Sequence, residues 1–239
     1  HNAAQIVLDG AVSMLLAGSS GSTSALAGLE SNQAAGRLQL RGGRDLATAG
    51  DLSNAGRVSI GSASVLQVGP GGSGTYTQSA GSTQGSGTLQ AALVQVWGGT
   101  LDPGLSPGQL VIDGDLVLGP DAVLHLELGD IGAGQYDRLL VTGTANLGGT
   151  LQIDLLDGFD QTVPFGVIVL SAQSMLGSLS LPTSTPGGSF AWNVGPDSIG
   201  ITYAPVPEPG QWLLWLGGLG LLMVRLARSR GRAPMLHQQ

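Results

Sequence analysis

The chain has 239 residues, of which 41 are glycine and none is cysteine, while 10 % are charged and 4 % aromatic. The lack of cysteine excludes disulfide frameworks, thiolate zinc sites and cysteine nucleophiles, and a hydrophobic fraction of 42 % favours a folded chain over a low-complexity disordered one. All nine basic residues are arginine, and four lie beyond position 224, so residues 1–209 carry −11 and the last thirty +4; an acidic body repels phosphate backbones, and nucleic acid is not an expected partner.

Residues 1–36 are rich in Gly, Ser and Ala. The apolar run AVSMLLAG (11–18) is short and has no basic flank, so it does not read as a signal peptide; the segment is expected to supply the first coil or coils of the body. From Arg37 onward, brief apolar alternations are separated by Gly, Asn, Asp, Ser and Pro. Strands are expected at RLQL (37–40), GRVSI (56–60), SVLQV (64–68), GTYTQ (74–78), LVQVW (93–97), GQLVI (108–112), DLVL (115–118), AVLHLEL (122–128), DRLLVTG (137–143), GTLQIDL (149–155), FGVIVL (165–170), SFAWNV (189–194) and IGITYA (199–204). In AVLHLEL the period of two sends Leu124, Leu126 and Leu128 inward and Val123, His125 and Glu127 outward. In GTLQIDL, Leu151, Ile153 and Leu155 share one face. No stretch between 37 and 205 keeps helical spacing for three turns.

Many short strands with frequent turn signals imply a sandwich, a barrel or a solenoid. The recurrence of Gly-Thr-Leu/Tyr at 74, 87, 99 and 149 favours the solenoid, because glycine permits a corner while the following apolar residue enters a shared core. The runs 47–91 and 98–155 resemble the β-helical repeats of bacterial autotransporter passengers, notably in Pro103-Gly-Leu-Ser-Pro-Gly-Gln-Leu110, Tyr136-Asp-Arg-Leu139 and Gly149-Thr-Leu151. The resemblance covers roughly 37–204 and implies an all-β chain with a right-handed parallel β-helix. It does not specify an activity, because one scaffold carries many functions.

Polysaccharide lyases and hydrolases need converging carboxylates. Asp113 and Asp115 are expected to share a strand face across Gly114, and Asp137 adjoins Arg138; turn preference and outward alternation explain these residues without catalysis. His125 with Glu127 at i+2 is an incomplete metal site, since zinc needs three or four ligands. GGRDLATAGDL (42–52) lacks the core of a calcium-binding nonapeptide repeat, and GPGGSGT (69–75) lacks the Lys and helix of a phosphate loop, so both read as turns. No enzyme, metal or cofactor is expected.

The end of the chain differs from the rest. Val206-Pro207-Glu208-Pro209 precedes thirteen uncharged residues: Trp212, Leu213, Leu214, Trp215, Leu216, Gly217, Gly218, Leu219, Gly220, Leu221, Leu222, Met223 and Val224. As a helix these span about 20 Å, or about 25 Å with flanking residues and a snorkelling Arg225, against a hydrocarbon core of about 30 Å. Six leucines contribute roughly −2 to −4 kcal/mol to insertion. Trp212 and Trp215 suit the outer interface, and Arg225, Arg228, Arg230 and Arg232 hold the far end in the cytoplasm. The prolines keep the Pro-Glu-Pro segment extended and outside the helix, where a membrane protease can grip it.

These three parts in order resemble the PEP-CTERM sorting signal of Gram-negative bacteria. The resemblance implies recognition by an exosortase, an export signal ahead of His1, and a chain spanning the inner membrane once before delivery to the cell surface or extracellular matrix. The expected organisation is an N-terminal fragment (1–36), a β-helical surface domain (37–204), the sorting signal (205–232) and a cytoplasmic tail (233–239). The expected role is structural or adhesive, associated with exopolysaccharide. Two alternatives stand beside it: a β-helical polysaccharide lyase or hydrolase delivered by the same signal, and a permanently anchored single-span surface protein.

Overall fold

The side-chain periodicity of two and the close spacing of glycine corners resolve, in a computed structural model, into strands stacked one above another. The structure describes residues 1–12, 16–17, 23–104, 107–130, 134–157, 159, 164–182, 184–185 and 188–205. Among these the chain is all-β: one large, mostly parallel sheet of 19 strands plus one two-stranded pair. The only helical turn among them is the 3-10 turn Pro70–Gly72.

The parallel pairings form three ladders. The first stacks Gln5–Asp9, Arg37–Arg41, Arg57–Ile60 and Ser82–Gly85, and continues through Thr100, Val123 and Thr150. The second runs from Ser31–Asn32 through Leu52–Asn54 and Thr75–Gln78 to Val94, Leu116, Thr144–Leu147 and Ser174–Gly177. The third joins Leu46–Ala47, Val65–Gln67, Leu89, Ile112, Arg138–Val141 and Phe165–Ser171. The chain visits the ladders in turn and returns to each after roughly 20–30 residues, the spacing of a repeat array whose units share one core.

Every strand expected from the sequence lies on an observed one, and three of them, GQLVI, DLVL and AVLHLEL, run together as Gln109–Leu128. This strand and Thr88–Pro103 are too long for one sheet face; they bend at corners, where the register between them shifts after Gln90 and again after Val96. Apolar residues stack above apolar: Leu46, Leu66, Leu89, Ile112 and Val141 form one buried column, and Leu38, Val58, Leu101, Leu124 and Leu151, interrupted only by Thr83, another. Each buried Leu or Val contributes roughly 1.5–3 kcal/mol, and a slip of one residue would turn its whole strand inside out.

The recurrent Gly-Thr marks corners. Gly99 and Gly149 both have φ 75, and a Cβ on either would lie 2.2 Å from a carbonyl oxygen of the preceding rung, that of Gly81 or Ala122. No side chain fits there.

A buried column of amides fills another corner. The Nδ2 of Asn2 donates to Asn32 Oδ1 (2.8 Å), that of Asn32 to Asn54 Oδ1 (2.8 Å), and that of Asn54 to Gln78 Oε1 (3.2 Å). Asn32 also donates to the carbonyls of Gly36 and Arg57, Asn54 to Ser82 O, and Gln78 to Gly98 O and Thr100 O. Thr83 donates to Gln78 Oε1 (2.6 Å), which leaves Tyr76 to donate its own hydroxyl to Thr83 (2.6 Å).

The C-terminal end departs from the all-parallel expectation. Ser198–Pro205 pairs antiparallel with both Phe165–Ser171 and Gly188–Val194. The Gly195-Pro196-Asp197 turn folds the last two strands into a hairpin, and antiparallel strands alone can be joined so tightly. Phe159, Phe165, Phe190, Trp192 and Tyr203 pack together over this hairpin with ring centroids 5.2–6.1 Å apart. The expected membrane helix lies in 206–239, outside the described residues; among those described, no helix is long and apolar enough to cross a membrane.

Asn54→Ala removes an acceptor from the Gly56 N–H (3.0 Å) and breaks the amide column. It is expected to cost roughly 2–3 kcal/mol, whereas Ser53→Ala, one residue away on the exposed side, is expected to stay within about 0.5 kcal/mol; urea unfolding of the two variants compares them directly.

Candidate functional site

The outward face of the first ladder carries the densest group of titratable side chains. Three successive rungs bring together Asp102, His125 and Asp154, because Leu101 stands opposite Leu124 and Glu127 opposite Asp154. His125 Nδ1 lies 3.2 Å from Asp102 Oδ1, and Nε2 lies 2.9 Å from Asp154 Oδ2. The two carboxylates flank the ring so that a protonated imidazole can donate from both nitrogens. Partial burial works against its charge, but the Asp154 hydrogen bond and the Asp102 charge outweigh it and raise the imidazole pKa above its ordinary value. Asp102 is itself raised, by desolvation that its attraction to His125 only partly offsets.

Asp137 lies deeper and is solvent-inaccessible. It accepts from Gly108 N (2.8 Å) with one oxygen and from Glu127 N (2.9 Å) with the other. Its neighbour Arg138 sends its backbone N–H to Gly108 O (2.9 Å). The Tyr-Asp-Arg phrase therefore ties the end of the Pro-Gly-x-Ser-Pro-Gly segment to the strand above it. Burial pushes the carboxyl up to about 7, although the two backbone donors pull the other way. Such a pKa suits general acid–base chemistry, but the carboxyl is solvent-inaccessible and each of its oxygens accepts a backbone N–H. The group is a clamp.

Asp113 and Asp115 do not share a face. Gly114 (φ 144) turns the corner between the third and second ladders, so Asp113 stands opposite Gln90 and Asp115 opposite Leu93. Period-two alternation assumes an unbroken strand, and the corner breaks it. Asp113 accepts from Gln90 Nε2 (3.0 Å) and Thr142 Oγ1 (3.0 Å), and Asp115 from Thr144 N (2.8 Å). Asp45 and Asp51 do the same for Val65 N and Thr75 N (2.8 Å each). These carboxylates bind backbone N–H groups or polar side chains one rung away, and that use accounts for the acidic residues of GGRDLATAGDL. The glycine-rich 69–75 segment forms the 3-10 turn with Gly69 at φ 73.

His125 and Glu127 point outward as expected, but the partners of His125 are Asp102 and Asp154, which come from neighbouring rungs and cannot be identified without the register. No group of His, Asp or Glu among the described residues is arranged to hold a metal ion. Val206 to Pro209, Trp212 to Val224 and the arginines from Arg225 to Arg232 all fall outside the described residues. Neither a protein-family model nor a curated protein matches the chain.

Asp137 and His125 make stability depend on pH in the same direction. Unfolded Asp137 releases its proton near pH 4 but the folded group holds it to about 7, so stability falls as pH rises through that window. The His125 contribution is fully present below about 6.5, the unfolded value, and is lost as pH rises through the raised folded one. The thermal midpoint is therefore expected to be higher at pH 5 than at pH 8. Asp137→Asn should flatten the curve between pH 4 and 7 while lowering it by roughly 1–3 kcal/mol, because the amide offers one acceptor to two buried N–H groups. Circular dichroism melts across pH measure both effects.

Proposed function

We propose that this is an exported, non-enzymatic protein of the cell surface or extracellular matrix, whose body is a right-handed parallel β-helix and whose C-terminal segment is a PEP-CTERM sorting signal. The observation that carries the proposal is the order Pro207-Glu208-Pro209, uncharged Trp212–Val224 and the cluster Arg225–Arg232. That order encodes an extended external grip, a single membrane span and a cytoplasmic stop. Three parallel ladders visited in turn support the helical body, and the near-universal right-handedness of parallel crossovers supports its hand.

A structural or adhesive role suits a surface on which Asp45, Asp51, Asp113, Asp115 and Asp154 are engaged in stitching rungs together and whose outward columns are rich in amides and hydroxyls. The lyase or hydrolase alternative calls for carboxylates converging on an open groove, and Asp113, Asp115 and Asp137 are separated by a corner and by burial.

C-terminal mass spectrometry of the protein from its native host tests the reading. The mature chain is expected to end at or close to Val206–Pro209, and Glu208→Ala is expected to leave the tail attached. A wild-type chain that retains Gln239 at the surface would instead be a permanently anchored protein.

A further inference from the structure

Among the described residues there are five arginines, and three of them, Arg37, Arg41 and Arg57, line a single cleft of about 230 Å³ on the outer side of the first ladder. Arg37 and Arg57 stand directly opposite one another in register, on strands about 4.8 Å apart. Like charges so placed are destabilising. In a body carrying −11, neutralising partners are plentiful elsewhere, yet among the described residues no ion pair joins any of the three to a carboxylate; the ion pairs there belong to His125. The column neighbours of the pair, Gln5 and Ser82, are uncharged. Asp9 stands in register with Arg41, and Asp102 feels the charge of Arg57 from two rungs away.

Beside the pair runs a second outward column, Gln39, Ser59 and Gln84, which lines the same cleft. It sets two amides beside the two arginines, with the Ser59 hydroxyl buried between them. Guanidinium forks match planar carboxylates bidentately, and a carboxylate shared by Arg37 and Arg57 removes their mutual repulsion. Arg41, four residues along the strand from Arg37, offers another cation about 13 Å away. Farther along the stack the same face becomes acidic at Asp102, Glu127 and Asp154, so a polyanion cannot follow the ladder axis. It must lie across the rungs, along the strand direction from the Arg37–Arg57 pair toward Arg41.

We propose that this cleft binds a linear acidic polysaccharide through its carboxylate groups, with Gln39 and Gln84 hydrogen-bonding to sugar hydroxyls. The choice of polymer rests on the surface and matrix reading above; the cation pair does not. A phosphodiester polymer, with one charge per about 1.7 Å of duplex, meets the acidic face and the net negative body at once and is disfavoured.

The test is calorimetric titration of the full chain, in nonionic detergent, with sodium polygalacturonate, neutral dextran and duplex DNA. Polygalacturonate is expected to bind, with dextran and DNA at least tenfold weaker. Arg37→Gln combined with Arg57→Gln should weaken polygalacturonate binding at least tenfold without lowering the thermal midpoint, since the substitutions remove a repulsion. Arg41→Gln alone should weaken it about threefold and serves if the double variant does not fold. Replacing Arg225, Arg228, Arg230 and Arg232 by Gln should leave binding unchanged. Undiminished affinity in the Arg37/Arg57 and Arg41 variants, equal binding of dextran, tighter binding of DNA, or loss of binding in the tail variant would each overturn the proposal. None of these results touches the sorting reading, which is decided by the mature C terminus.

Discussion

A parallel stack with a buried polar corner must give every amide in that corner a partner, beyond the backbone bonds that already cross it, such as Arg57 N–H to Gly36 O and Ser82 N–H to Gly56 O. The buried column Asn2, Asn32, Asn54 and Gln78 answers this by pairing amide with amide up the stack while directing spare N–H groups to the corner carbonyls of Gly36, Arg57, Ser82, Gly98 and Thr100. Unpaired, each of these buried amides would cost about as much as a lost buried hydrogen bond. The column also fixes the vertical register, because a one-residue slip would turn an amide outward and away from its partners in the neighbouring rungs.

The solution changes partway along. Above Gln78 the same position is held by Val96 and then Leu118, and the interior becomes wholly apolar at that corner. Gln78 is the junction: its Nε2 donates to the carbonyls of Gly98 and Thr100, and its Oε1 receives Asn54 and Thr83. Beyond it, the chain relies on glycine corners so tight that the backbone itself closes the turn, and on the carboxylate of Asp137 holding Gly108 and Glu127. The two halves of the stack thus share side-chain geometry but not the means by which corners are sealed.

Much of this is legible in the sequence. The Gly-Thr-Leu recurrence locates corners, and the alternation of AVLHLEL and GTLQIDL gives the correct inward faces. The amide column is better hidden. Ser31-Asn32 and Ser53-Asn54, each followed within five residues by Ala-Gly-Arg, spell it out, but the insertion of Gln33 and Ala34 in the first copy obscures the repeat. The Asp102–His125–Asp154 array is beyond reach for a different reason. Its members lie 23 and 29 residues apart, and only the register between rungs brings them together. Asp113 and Asp115 fall on one face only if a period of two is carried through Gly114, where the chain turns. The antiparallel end does have a signal: Gly195-Pro196-Asp197 between two alternating runs marks a hairpin.

That hairpin bears on how the rest of the chain can work. A parallel stack left open exposes an unpaired rung and an apolar interior, a template for pairing with another chain. Here the last rung is met by Ser198–Pro205 running the other way, and all three phenylalanines of the chain are placed with Trp192 and Tyr203 over the core at that end. Trp192 further ties its indole N–H to Pro182 O (2.6 Å). Aromatic side chains bury about 150–250 Å² each, so gathering half of a sparse aromatic complement here seals the stack where leucine alone would leave gaps. The body is thereby closed by its own residues before Val206. Among the described residues, every strand of the three ladders and every core side chain lies before Val206.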